Sequence, residues 1–204
     1  MNLATIPEWD DALRRGSAAL FIGADLPEAA TGLPSRADLA REMARRKGLD
    51  PSLSLAAVAQ RVGQGGNRWE FSAYLREALD TVDKAPRTFH RRIVAWVQAY
   101  RLSTIITTAY DDLLELAFDQ AGVALNRVVR DTDLTFAVAG RPLLIKLYGD
   151  AQRPDTLLVT EDDHYGLWRS REKEDVLDEV RATLRTNTLL FLGYNLSDPD
   201  FHLL

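Results

Sequence analysis

Four short apolar runs constrain this chain most: residues 18–23 (AALFIG), 104–108 (TIITT), 143–148 (LLIKLY) and 188–193 (TLLFLG). None alternates polar with apolar, as a half-exposed strand would. Runs of this length and evenness suit strands covered on both faces, the condition of a parallel sheet. Between them, residues 36–47, 53–62, 70–79, 88–100 and 112–121 repeat apolar side chains every three or four positions, which is helical spacing. Strands alternating with helices predict an α/β fold, a Rossmann-like doubly wound and mostly parallel sheet. Residues 157–160 read as one further short strand. The stretch 36–100 holds no strand signal and reads as a helical insertion or small subdomain. Gly63-Gln64-Gly65-Gly66-Asn67 forms a break inside it. A length of 204 residues suits one domain, residues 1–204, with that insertion.

Composition removes several classes of function. With no cysteine there is no disulfide, no thiol nucleophile and no cysteine-ligated zinc. His90, His164 and His202 show no metal-ligand spacing, so no metal site is expected. A formal net charge of −5 disfavours non-specific binding to nucleic acid, which needs clustered Lys and Arg. The one basic run, residues 41–47 (REMARRK), reads as a solvated helix face. No apolar run approaches the roughly 20 residues of a membrane span. The N-terminus lacks the pattern of a secretory signal, so a cytoplasmic location is the expectation. At the other end, Ser197-Asp198-Pro199-Asp200 reads as a helix start with little chain left to continue it. That points to further elements in a longer parent protein.

The candidate chemistry lies where the strands end, because ligands of open α/β sheets bind beyond the carboxyl ends of the strands. The first run finishes in Gly23-Ala24-Asp25 and leads to Gly32-Leu33-Pro34 before a helix. The second finishes in Thr107-Thr108 and is followed by Ala109-Tyr110-Asp111. The third delivers Lys146, Tyr148 and Gly149, and the fourth ends in Gly193-Tyr194-Asn195. Each has a plain structural alternative. Asp111 can cap a helix, and Tyr148 can be a buried ring. Lys146 can pair with Asp162 or Asp163, and His164 can be a surface residue of a helix that Thr160 and Asp163 start. Trp69, Trp96 and Trp168 can simply pack. Together, on a parallel sheet, the four ends would meet at one crevice.

Taken in order, these segments resemble the sirtuin-like domain family of bacteria and archaea. Members carry a Gly-Ala-Gly segment leading to Gly-Leu-Pro or Gly-Ile-Pro, then Thr-x-Asn-x-Asp, then Lys-Leu-His-Gly, and finally a strand ending in glycine. The resemblance covers about residues 18–201, most strongly ITT-x-YDDLLE (106–115) and the run from Lys146 to Asp163. It implies a site for NAD or ADP-ribose, with Gly23, Ala24, Asp25, Gly32, Leu33, Pro34, Thr107, Thr108, Gly193, Tyr194 and Asn195 around the nucleotide. Asp111 and Tyr148 take the catalytic positions.

Three departures fall on the implied site. Asp25 stands where the second family glycine would be, with Pro27 nearest the expected serine. Ala109 replaces the family asparagine, and Tyr148 replaces the histidine that acts as base. An aspartate beside a diphosphate is repulsive. A tyrosine with a reference pKa of about 10 is a poor base at neutral pH. Three functions follow as expectations. The first is a nucleotide-binding module, catalytically impaired, within a multidomain protein. The second is an active NAD hydrolase of the prokaryotic immune type. The third is an interaction or oligomerisation domain with no ligand. Peptide deacylation is least supported, since the zinc module of deacylating sirtuins has no counterpart.

Overall fold

A computed structural model of the chain describes residues 6–26, 28–64, 68–167, 169–194 and 196. The chain order is α1 (Pro7–Arg15), β1 (Ala18–Ile22), α2 (Glu28–Thr31), α3 (Arg36–Lys47), α4 (Leu55–Gln64), α5 (Arg68–Ala78) and α6 (Thr88–Tyr100). Then come β2 (Thr104–Thr107), α7 (Leu113–Gln120), β3 (Asn126–Val128), α8 (Asp131–Thr135), β4 (Leu143–Lys146), α9 (Glu161–Leu167), α10 (Glu174–Thr186) and β5 (Thr188–Leu192). The strands form one sheet in the order β3-β4-β2-β1-β5, and every pairing is parallel. This is the Rossmann-like α/β architecture that the four apolar runs predict.

Alternation along the strands divides the core in two. Phe21, Ile106, Ile145 and Val128 face one cluster, filled by α3, α4, α5 and α10 through residues such as Met43, Val58, Leu75 and Val180. Leu20, Ile22, Ile105 and Leu144 face the other, filled by α1, α6 and α7 through Trp9, Ile93 and Phe118. The helices of the 36–100 stretch share these two clusters with the strands, α3 to α5 in the first and α6 in the second.

Local chemistry sets the element ends. Ser35 starts α3 by accepting from the Asp38 N–H at 3.2 Å, and Asp38 returns the bond to the Ser35 N–H at 3.3 Å. Thr160 and Asp163 start α9 in the same reciprocal way. The expected strand at 157–160 is instead irregular backbone held by side chains: Leu158 accepts from the Tyr110 hydroxyl at 2.7 Å, and Leu157 from Arg68 at 3.1 Å. The short edge strand β3 carries only three residues, too few for an apolar pattern, and the sequence does not announce it.

β1 lies between β2 and β5, so its end is where the chain path reverses direction across the sheet. There Gly23 and Gly193 approach closely. A Cβ on Gly23 would overlap the Gly193 carbonyl and the Tyr194 Cα. Because both obstacles are backbone, no rotamer relieves the clash. Gly23→Ala is expected to cost about 3 kcal/mol, the upper end of overpacking penalties. A denaturant midpoint equal to that of the parent protein would contradict this contact.

Candidate functional site

Beyond the ends of β1 and β2 lies a narrow cleft that opens to solvent. Gly23, Ala24, Leu33, Pro34, Thr107 and Asp111 line it, six of the residues the sequence nominates. Three more sit just behind the wall. Thr108 accepts from the Ala24 N–H at 3.1 Å, Gly193 accepts from the Asp25 N–H at 3.0 Å, and Gly32 packs against the Arg87 side chain. The Tyr194 ring lies 4.6 Å from Phe21 and joins the core. Asn195, Pro27, Trp168 and the 197–200 segment lie outside the described residues.

Among the described residues, the backbone donors at the two ends of the loop after β1 are already bonded. The Gly23 N–H donates to Leu192 at 2.8 Å, and those of Ala24 and Asp25 are taken as above. Gly32 donates to Glu28 at 2.6 Å, and Leu33 to the Thr31 hydroxyl at 3.2 Å. Pro34 has no N–H, and Ser35 serves its own helix cap. The start of the loop is thus bonded to the sheet and its end to the loop itself.

Among the described residues, Arg36 supplies the one guanidinium or ammonium group lining this cleft. It follows Gly32-Leu33-Pro34-Ser35 directly and lies with its guanidinium 5.4 Å over the Tyr148 ring, a cation–π arrangement. Tyr148 itself is fully buried, and His164 meets it edge-on at 4.7 Å. Tyr148 therefore lies behind Arg36 and is not part of the cleft lining. His164 is not a surface residue but a buried partner of that ring. Its position on α9 follows from a tertiary contact invisible in local spacing. Trp96 packs partly on the α6 side of the core, whereas Trp69 is exposed.

Lys146 differs most from expectation. Its side chain is 0% exposed and reaches Glu115 at 3.0 Å, Asp150 at 2.9 Å and the Asp111 carbonyl. Arg127 completes the group by pairing with Asp150 and approaching Glu115 at 3.6 Å. Asp162 and Asp163 go elsewhere, to Gln60 at 2.7 Å and Arg68 at 2.7 Å. Burial works to lower the Lys146 pKa, but Glu115, Asp150 and Asp111 outweigh it and hold it above the ordinary lysine value. Burial pushes Glu115 upward against the pull of Lys146. The ammonium is the stable state, since four acceptors surround it, the Tyr110 carbonyl included. Two acids and two bases balance in this network, which leaves the Asp111 carboxylate as surplus negative charge on the cleft wall. Asp111 Oδ1 also accepts from the Leu113 N–H at 3.1 Å, the capping role its position suggests.

His90 is the remaining cleft residue with titratable chemistry. Its Nδ1 accepts from the Arg87 N–H at 3.0 Å. Burial lowers its pKa, with Asp111 opposing, so the ring is neutral near pH 7. Neither Arg36, His90 nor Glu115 was nominated by the strand-end pattern. All three stand on helices that only the fold brings to this cleft. Among the described residues, no group of three or more His, Asp or Glu is placed to hold a metal ion.

Two outcomes test the electrostatics. Lys146→Met leaves the buried Glu115 and Asp150 with Arg127 as their one remaining cation and is expected to cost about 3 kcal/mol by denaturant unfolding. Combining it with Asp150→Asn should cost less than the sum of the two. Strict additivity would deny the pairing. Lys173, buried before α10, donates to the Leu147 carbonyl at 2.8 Å. Burial, then Arg130, lower its pKa to about 8. Between about pH 8 and the ordinary lysine value of about 10.4 the unfolded chain binds the extra proton, so stability from this group rises with pH, by on the order of 3 kcal/mol. Lys173→Met should flatten that rise in melts taken from pH 7.5 to 10.5; an unchanged slope would refute it.

The chain matches the family model described as the SIR2-like domain over residues 103–204. Among curated proteins it is similar to the NAD(+) hydrolase ThsA of Acinetobacter baumannii, 29% identical over 197 residues, covering 92% of this chain and 38% of that protein. The NAD(+) hydrolase ThsA of Cytobacillus dafuensis is 26% identical over 198 residues, covering 96% and 38%. Defense-associated sirtuin 2 of Bacillus subtilis is 27% identical over 126 residues, covering 60% and 12%. The chain thus spans under two fifths of the length of these relatives. No helix among the described residues is long and apolar enough to cross a membrane. The matched half holds four of the five strands together with Asp111, Lys146 and Tyr148, and by that match the protein belongs to the SIR2-like domain family.

Proposed function

We propose that this chain is an NAD-recognising SIR2-like module whose capacity to cleave NAD is reduced. The observation that carries this reading is the burial of Tyr148 beneath Arg36. The position where the family resemblance expects a base holds a core ring, and Ala109 on the cleft wall supplies no side-chain hydrogen bond. Losing a general base lowers a rate by about 10²–10⁴-fold. The cleft keeps features that suit the nucleotide. Asp111 favours a positive pyridinium, Arg36 favours the diphosphate, and apolar residues such as Leu33 and Leu39 give the rest of the lining. The committed N–H groups of the loop after β1 leave the diphosphate to Arg36, which supports weak binding. A cytoplasmic setting and further domains in a longer polypeptide belong to the same proposal.

A second reading, an active NAD hydrolase, is favoured by one observation. The relatives named NAD(+) hydrolases match 92–96% of this chain. A carboxylate such as Asp111 can stabilise the oxocarbenium-like state of glycosidic cleavage. The two readings separate in one experiment on the intact protein: calorimetric titration with NAD and ADP-ribose, and chromatography for released nicotinamide. The expected result is binding that Asp111→Ala weakens, with release at least about 100-fold slower than an active relative under matched conditions. Release at the relative's rate would replace the first reading with the second. No binding up to millimolar ligand would remove both.

A further inference from the structure

Resting on the NAD reading above, we propose that His90 reads the ligand: a neutral Nε2–H donor beside Asp111 that takes an uncharged oxygen of the nicotinamide riboside half. The tautomer follows from geometry. Nδ1 accepts the Arg87 N–H at the start of α6, so the proton of a neutral ring resides on Nε2. His90 lines the cleft, and with Nδ1 turned to its own helix start, the Nε2 edge is what it offers there. This excludes a role as general base, because the nitrogen that faces the ligand already carries its proton. It also argues against a phosphate as partner. His90 is neutral, Asp111 stands in the same wall, and the cation of the lining is Arg36.

The charge layout decides which half of a dinucleotide belongs here. The surplus carboxylate of Asp111 attracts the positively charged pyridinium and repels the diphosphate. A pyridinium carrying a carboxamide offers a carbonyl oxygen to a neutral donor and an NH₂ to a carboxylate. His90 and Asp111 supply that complementary pair. A hydroxyl of the adjoining ribose offers an oxygen of the same kind.

Two substitutions separate the ligand role from the structural one. In His90→Asn the amide oxygen stands near Nδ1 and keeps the Arg87 bond, but the cleft donor is lost. In His90→Gln the amide N–H stands near Nε2, and the helix bond is lost. In the intact protein, H90N is expected to keep the melting temperature and to weaken NAD by roughly 3- to 10-fold, the worth of one neutral hydrogen bond. H90Q should melt lower yet recover NAD affinity. If H90N weakens NAD and spares ADP-ribose, the acceptor is the carboxamide; equal weakening assigns it to the ribose. Affinity that follows melting temperature across both variants, or wild-type affinity in H90N, overturns the inference while leaving the NAD reading intact. Wild-type protein that binds neither nucleotide overturns both. Nitrogen-15 NMR of the ligand-free imidazole gives an independent result. The Nε2–H tautomer is expected, and the Nδ1–H tautomer would sink the inference alone.

Discussion

The ammonium of Lys146, with no exposure to solvent, holds together the part of the molecule on which the cleft depends. It stands at the end of β4 and reaches α7 through Glu115, the loop after β2 through the Asp111 carbonyl, and its own following turn through Asp150. A buried charge is costly unless paired, and removing one partner costs more than the pair contributes. The arrangement therefore fixes geometry more than it adds stability. It ties the backbone of Asp111 to the strand beside it while leaving the Asp111 carboxylate at the cleft wall. The cleft carboxylate that lies outside the network is positioned by a network that is itself neutral.

The opposite wall obeys a different constraint. Gly23 and Gly193 bring two strand ends so close that neither the Gly23 N–H nor the following two remain unbonded. Backbone donors at such a turn usually bind phosphate because nothing else satisfies them. Here the neighbouring strand and Thr108 satisfy them first. The cleft's positive charge comes instead from one side chain, Arg36, laid across the Tyr148 ring.

Much of the fold was legible because buried strands leave long-lived marks in sequence. The four apolar runs coincide with β1, β2, β4 and β5, and the helical spacings at 36–47 and 88–100 match α3 and α6 end to end. What escaped has identifiable causes. β3 is too short to carry a pattern, and 157–160 is apolar because it is buried under side-chain bonds, not because it pairs. Trp69 carries an apolar side chain at helical spacing yet faces outward, since periodicity gives a face but not what covers it.

By itself the sequence determined the layered α/β architecture, the strand ends as the place to look, and Asp111 as a carboxylate at that place. Hydrophobic periodicity and turn chemistry act over a few residues, so they can be read locally. Only the tertiary structure decided that Lys146 pairs with Glu115 and Asp150, that Tyr148 lies behind Arg36 against His164, and that His90 lines the same cleft as Asp111. Each depends on groups separated by elements of the fold, and the energy of such contacts comes from burial and distance, which no local pattern encodes.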